Sequence, residues 1–476
     1  MLNVAIIGGG ASGTLAAMAF ARLERPVRIT LIEARSRQLN RGVAYSCRLS
    51  RQSLNVPAGR MGLRSADAEG FLRWLHAGPL PQAAHGDFVP RSHFGDYLAD
   101  AFNEVLDAPG GRVDVLRAKA IALEPHLHGG HDVLLVDGRR VYADAVILAL
   151  GNAPPAHPAD PPQEVIGHPG YIAWPWEPGV LDDVRPEDPV LFVGAGLTMV
   201  DVLLSLQEQG HRGPVTVLSR SGRLPAPHAA PVPWTNGPDR PREGDDLLVH
   251  WRWVRSEVRR AQAEGVPWQS VMDAVKPHVR AWWQHLPMHE RSRFLRHARP
   301  FWEIHRHRMP PCAARRIQDL LQAGRLRSLA ARVVSIAAID QEHLAVTYRN
   351  RGGTDHRTEH FARVINCTGP QTALRLLDQP LLRDMLAKGL AAPDDLRLGL
   401  RCRPDGSVLD WDGRVTEGVF ALGPMCKAAL WECTAIPEIR DQAEGLAMKV
   451  ATHMEAPEPF WGRVLRAFDL VALRDP

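Results

Sequence analysis

A chain of 476 residues is too long for one ordinary hydrophobic core and long enough for two or three packed units. Its 45% apolar and 23% charged residues are ordinary for a globular protein, its 40 glycines and 39 prolines punctuate apolar runs instead of forming low-complexity tracts, and a net charge of +4 is too small to name a partner. The six cysteines (Cys47, Cys312, Cys367, Cys402, Cys426 and Cys433) contain no C-x-x-C pair, which argues against a disulfide framework and against a zinc site; no metal ligand set is expected.

Residues 3–8 form a short β-branched run that ends in glycine. Gly8-Gly9-Gly10-Ala11-Ser12-Gly13 then fits G-x-G-x-x-G, residues 14–23 are strong helix formers, and a second strand over 27–32 ends in Glu33 and Ala34. Each position has a physical task. Gly8 permits the tight turn, Gly10 lets a pyrophosphate approach, and Gly13 lets helix and strand pack closely. The helix start at Ala11 and Ser12 offers free N–H groups and a positive dipole end to phosphates. Glu33 can accept hydrogen bonds from a ribose diol. The bland alternative is a glycine turn with no ligand. This start has no basic segment and cleavage site, and the chain has no apolar run of membrane-spanning length, so a cytoplasmic protein with reduced thiols is expected. A motif here with a second one far downstream is the layout of two-dinucleotide flavoproteins, and by that analogy the first ligand is FAD.

The loop Asn55-Val56-Pro57-Ala58-Gly59-Arg60-Met61 follows closely. Pro57 fixes one backbone angle and Gly59 permits an unusual one, so the loop can hold a set shape. It is the candidate wall of the flavin ring, with Asn55 the candidate catalytic side chain and Val56 and Met61 beside it; the alternative is a surface turn. Residues 131–142 read as a hairpin around Asp137-Gly138, and an apolar strand from Ala145 stops at Gly151 before a Pro-rich stretch, a crossing between domains.

Residues 189–193 make another apolar strand, followed by Gly194-Ala195-Gly196-Leu197-Thr198-Met199. Two glycines stand, and Met199 in the third place predicts a looser helix–strand contact. The next strand, 215–218, ends in Ser219-Arg220-Ser221-Gly222-Arg223 with no acid. An arginine there can pair with a 2′-phosphate, which favours NADPH over NADH; Arg220 is the first candidate and Arg223 the second, and a solvated surface arginine is the alternative.

Residues 245–325 are helix-forming and hold six of the 13 tryptophans, and 251–330 carry 16 Lys+Arg against six Asp+Glu. A helical insertion is expected, with tryptophans anchoring its helices and arginines either solvated or lining a cleft for NADPH or an acidic substrate. Nucleic acid is the less favoured partner. The run His305-Arg306-His307-Arg308-Met309-Pro310-Pro311 is expected at a domain junction. Residues 333–348 echo the earlier hairpin, and a strand over 364–366 leads through Cys367 to Thr368 and Gly369, the second crossing. A last strand reaches Gly423 and Pro424, a second place for the flavin, before a helix over 436–450. The fold class is therefore α/β: two Rossmann-like domains with a helical insertion, divided as 1–155 (FAD), 156–330 (NADPH) and 331–476 (FAD, second part, and C-terminal helices).

Taken together, Arg41-Gly42-Val43-Ala44-Tyr45, Leu54 to Met61, Gly196 to Asp201, Leu218 to Gly222 and His305 to Met309 make the chain resemble the YdhS-type FAD/NAD(P)-binding proteins over about residues 3–450. That group is similar to class B flavin monooxygenases, which include N-hydroxylating enzymes. The resemblance implies FAD in the outer domain, NADPH in the inserted one, the Asn55–Met61 loop near the isoalloxazine, and Cys367-Thr368-Gly369 in place of an Ala-Thr-Gly junction. The F-x-G-x-x-x-H-x-x-x-W signature of Baeyer–Villiger enzymes is missing. The leading expectation is an FAD-dependent, NADPH-using monooxygenase that hydroxylates a small molecule with molecular oxygen through a flavin C4a-hydroperoxide in a water-poor pocket. A reductase passing electrons to a small acceptor is the second reading, and a nucleotide-sensing or RNA-associated flavoprotein the third.

Overall fold

The apolar β-branched runs bury as central strands because both faces of the first sheet are covered, one by helices and the other by an antiparallel meander and the helix Pro380–Ala387. The computed structural model describes residues 1–46, 52–230, 232–237 and 239–453. Cys47 and the last residues of the expected third segment, 454–476, lie outside the described residues.

The first sheet has six strands in the order Ser407–Leu409, Val415–Ala421, Ala145–Leu148, Leu2–Ile7, Val27–Glu33, Val113–Arg117. All neighbours are parallel except the Ser407–Leu409 edge. The helix Ala11–Ala21 covers one face and packs on the long helix Ile436–His453. A three-stranded antiparallel meander (Ala120–Pro125, His131–Leu135, Arg140–Ala143) includes the expected hairpin.

The second sheet has seven strands in the order His356–Phe361, Leu344–Asn350, Leu326–Ala338, Val215–Ser219, Val190–Val193, Arg363–Asn366, Tyr171–Ile172. It is parallel from Leu326–Ala338 to Tyr171–Ile172, with an antiparallel pair at one edge. The expected division at residue 331 is therefore corrected. The second sheet keeps the chain through Asn366, because the strand Arg363–Asn366 pairs with Val190–Val193, and only then does the chain return to the first unit. The insertion also ends earlier than expected. The helix Pro311–Gln322 buries Ala313, Ile317 and Leu320 against the second sheet's own core, so it is that sheet's crossover helix.

The insertion proper is built on the helices Leu247–Ala263, Trp268–His285, Met288–Arg293 and Arg299–Arg306. Trp253, Trp282, Trp283 and Trp302 bury together with Leu398, Ala428 and Trp431 of the returning chain, which is the anchoring expected of them. Trp283 Nε1 donates to Ala428 O at 2.8 Å. Arg306 reaches Glu432 at 2.9 Å and Glu438 at 3.3 Å, so the His305–Pro311 run does sit at a junction. No helix among the described residues is long and apolar enough to cross a membrane.

Candidate dinucleotide sites

In each sheet the strand order reverses beside the strand that carries the glycine turn. The reversal lies between Leu2–Ile7 and Ala145–Leu148 in the first sheet, and between Val190–Val193 and Arg363–Asn366 in the second. Such reversal points are where open α/β sheets bind ligands.

The two turns are closed by the same kind of contact. Gly8 has φ +104°, and a Cβ on it would stand 2.4 Å from Ala149 O; Gly194 has φ +109°, and a Cβ there would stand 2.2 Å from Cys367 O. Any side chain at either place would collide with backbone of the neighbouring strand. The two sequence junctions, Ala149 to Gly151 and Cys367 to Gly369, are thus equivalent parts of two equivalent sites. The helices Ala11–Ala21 and Leu197–Glu208 begin after Gly10 and Gly196, and neither has a side-chain cap hydrogen bond. Their first N–H groups are left for an external acceptor, which fits a pyrophosphate at each turn.

The acid and hydroxyl at the strand ends differ. Glu33 Oε2 accepts from Gly9 N at 2.8 Å and Oε1 accepts from Arg35 N at 2.8 Å, which fixes the carboxylate at the turn, with Ala34 exposed next to it. Ser219 Oγ instead accepts from Gly222 N at 2.9 Å, closing its own turn. That contact fixes the Ser219 hydroxyl at the turn and leaves its own O–H free to donate to a ligand. Arg220 is exposed, with no ion pair or side-chain hydrogen bond among the described residues. Arg223 lies over the Phe301 ring at 4.8 Å, so it is held by the insertion.

Other expected residues converge. A Cβ on Gly423, which has φ +71°, would lie 2.9 Å from Ser12 Oγ, so the last strand delivers Gly423 and Pro424 to the first helix's N-terminus. Gly151 and Pro424 line one small pocket with Gln371 and Thr372. Thr368 Oγ1 donates to Asn366 Oδ1 at 2.7 Å, which leaves Thr368 and Gly369 beside Gly194.

The Asn55 loop lies where the two units meet. His228 Nε2 of the second unit donates to Asn55 O at 3.2 Å, and the Asn55 amide has no partner among the described residues. Two expectations for this loop are corrected. Met61 is 1% exposed inside the first core with Leu54 and Ala58, so its side chain faces the packed interior and not a crevice. Val56, half-buried at the edge of the same core, keeps part of its side chain accessible. Gly59 is not at positive φ; a Cβ there would stand 2.1 Å from the half-exposed His85 ring, which would have to move aside.

The same junction carries residues that the sequence reading passed over. Arg91 Nη2 reaches Asp201 Oδ2 at 2.8 Å and Gln52 Nε2 donates to Ser205 Oγ at 3.0 Å, both from the first unit to the second unit's Leu197–Glu208 helix. Burial raises the Asp201 carboxyl to about 6, against the opposing pull of Arg91. Burial lowers the His228 imidazole to about 4, helped by the Arg308 charge. Asn40, at φ +66°, donates its N–H to Gly9 O at 2.7 Å, and Gly42 lies against Gly10, where a Cβ would meet its Cα at 3.1 Å. Arg41-Gly42 was legible as an unusual segment, whereas its position over the first turn was not.

Residues 5–153 match a family described as FAD-NAD(P)-binding. Among curated proteins, "Uncharacterized protein Mb3437c" of Mycobacterium bovis and "Uncharacterized protein Rv3403c" of Mycobacterium tuberculosis are each 24% identical over 532 residues, covering 95% of this chain and 96% of theirs. Among solved structures, L-lysine 6-monooxygenase from Pseudomonas syringae aligns with a TM-score of 0.66 at 16% identity, over 95% of this chain and 99% of its own. The ornithine N-hydroxylase of Kutzneria sp. 744, solved with reduced FAD, NADP+ and L-ornithine, aligns at 0.65 and 15%, over 95% and 99%. The FAD-bound cadaverine monooxygenase of Erwinia amylovora aligns at 0.64 and 10%, over 96% of each chain. These likenesses establish the fold: two Rossmann-type units in the arrangement of those flavoproteins.

Proposed function

We propose that the chain is a cytoplasmic FAD-dependent oxidoreductase that takes electrons from NADPH and oxygenates a small molecule. The observation that carries this is the pair of equivalent, uncapped glycine turns at two sheet reversal points, one with Glu33 fixed beside it and the other with Arg220 free beside it. The FAD-NAD(P)-binding family match and the fold shared with lysine, ornithine and cadaverine monooxygenases support the reading. The segment resemblance to YdhS-type proteins is its finer form.

FAD would be held by Gly8, Gly10, Ala11, Ser12, Gly13 and Glu33, with Ala34, Gly151, Gly423 and Pro424 near it. NADPH would be held by Gly194, Gly196, Leu197 and Thr198, with Arg220 on the 2′-phosphate and Thr368 and Gly369 at its edge. Bound FAD supplies the two-electron transfer and the activation of oxygen. The chain's share is to orient and to keep water out. Glu33 keeps its carboxylate at the turn through Gly9 and Arg35, and Asn55 keeps an unpartnered amide at the junction of the two units. A disulfide reductase is disfavoured by the thiols: burial pushes Cys433 up to about 12, and the neighbouring Cys402 together with burial raises Cys426, the reverse of what a redox thiolate needs.

The test is oxygen uptake, NADPH oxidation and hydrogen peroxide yield of the purified yellow protein against amines, amino acids, sulfides and organic acids. Substrate-stimulated oxygen uptake with an oxygenated product is expected. NADPH oxidation that needs an added acceptor and ignores removal of oxygen would establish the reductase instead. In the same assay Asn55→Ala is expected to keep both dinucleotides and to lose turnover or leak peroxide.

A further inference from the structure

The insertion encloses a cavity of about 470 Å³ that neither glycine turn borders. That volume is within the range of small-molecule sites, about 300–1,000 Å³. Its walls are aromatic: Trp251, Trp268, Trp282, Trp283, Trp302 and Trp431 all face it. Such walls favour a flat or aliphatic apolar body.

Beside His250, Gln262 and His305, the charged side chains that line it are of one sign. Arg255 and Arg259 line it from adjacent turns of the Leu247–Ala263 helix, and no Asp or Glu does. Neither arginine has a carboxylate partner among the described residues, whereas the neighbouring Arg260 is held by Glu257 at 2.6 Å and Glu264 at 3.7 Å. Both are exposed, so they stand at the mouth. Deeper in, Trp302 is 8% exposed and its Nε1 has no hydrogen-bond partner among the described residues. A buried N–H left unmade costs about 1–3 kcal/mol, which a bound acceptor would relieve. Trp431 stands with φ +57°, a rare backbone for a bulky residue, and packs on Trp283 with ring centroids 4.8 Å apart. Strain of this kind concentrates at ligand sites.

We propose that this cavity binds an organic acid with an apolar body, the body among the tryptophans and the carboxylate at Arg255 and Arg259. The site stands independently of the reaction at the flavin. If the proposed function holds, apolar acids become the first compounds to try as substrate or effector.

The test titrates full-length, FAD-loaded protein with decanoate, decanol and decylamine, following tryptophan fluorescence and calorimetry. Decanoate is expected to saturate at least about tenfold more tightly than decanol, with decylamine weakest, because a charge-assisted bond is roughly twice as strong as a neutral one. The double variant Arg255→Gln/Arg259→Gln is expected to weaken decanoate about tenfold and leave decanol unchanged, and Trp251→Ala to weaken both. Flavin absorbance and circular dichroism confirm that each variant is folded. Equal affinity for decanoate and decanol, or no effect of the arginine pair, overturns the acid. No saturable binding of any probe overturns the site. A concentration-dependent dimer that Trp251→Ala dissociates gives the aromatic face to a second copy and overturns it as well.

Discussion

The two glycine turns start from the same design and differ at their third position. A Cβ on Gly13 would lie 1.8 Å from Gly8 O, so the first helix is pressed onto its own turn and only glycine fits. The corresponding residue of the second turn, Met199, is fully buried and packs in the second core with Val190 and Phe192. The expected looser contact is therefore a filled one. The open side differs too: Gly10 is covered by Gly42 backbone, whereas nothing lies within 4 Å of a Cβ placed on Gly196. One turn is roofed by its own chain and suited to a resident cofactor. The other is open and suited to a ligand that comes and goes.

The sharpest way to break that contrast is at the third position. Gly13→Ala is expected to prevent folding of the first unit, read as loss of flavin absorbance and of the cooperative denaturation transition, because two backbone segments would have to part. Met199→Ala is expected to leave yellow, folded protein that is less stable by about 2–5 kcal/mol, the cost of a cavity. A smaller loss from Gly13→Ala than from Met199→Ala would erase the distinction.

The next effect is at the second glycine. Gly10→Val meets the Gly42 backbone and should give colourless protein, whereas Gly196→Val has room to fold and should keep flavin while losing affinity for NADPH. Flavin content and NADPH titration read the two apart, and equal flavin loss in both would count against a roofed and an open turn.

Arg220→Ala should raise the Michaelis constant for NADPH about tenfold and barely change that for NADH, since one charge-assisted hydrogen bond is worth roughly 1.5–3 kcal/mol. Equal changes for both would remove Arg220 from the 2′-phosphate.

The smallest effect concerns pH at the junction. The folded His228 stands near 4, below its ordinary 6.5, so the native state binds fewer protons between those values. Its contribution is full above pH 6.5 and is lost as the pH falls toward 4. Asp201 has the opposite sign: raised to about 6 from 3.8, it favours the native state in acid and loses that contribution as the pH rises from 3.8 to 6. The readout is therefore a slope. His228→Gln should flatten the fall in melting temperature from pH 6.5 to 4, and an unchanged slope would take His228 out of the acid response.

Much of the fold was legible because the signals were local. A β-branched run, glycines at set spacing, a helix and a terminal acid lie within 33 residues, and each follows from backbone sterics or a neighbouring contact. The junction residues were not legible in this way. Arg91 and Asp201 are 110 positions apart and His228 and Asn55 are 173 apart, and their meaning exists only once two sheets are set side by side. Met61 and Gly59 show the same limit within one loop: proline and glycine spacing marked a shaped turn, while the core that takes Met61 and the ring that a Cβ at Gly59 would meet come from distant segments.

The sequence by itself determined two strand–turn–helix units, their order, the acid at one strand end and the arginine at the other, since these depend on spacing and on the chemistry of single side chains. The tertiary structure decided which strands belong to which sheet, that the chain returns after Asn366, that Ser219 closes its own turn while Arg220 is left without an ion pair, and that scattered tryptophans enclose a cavity with two unpaired arginines at its mouth. Those outcomes depend on strand pairing and on burial, which join residues across the whole chain and which no local pattern encodes.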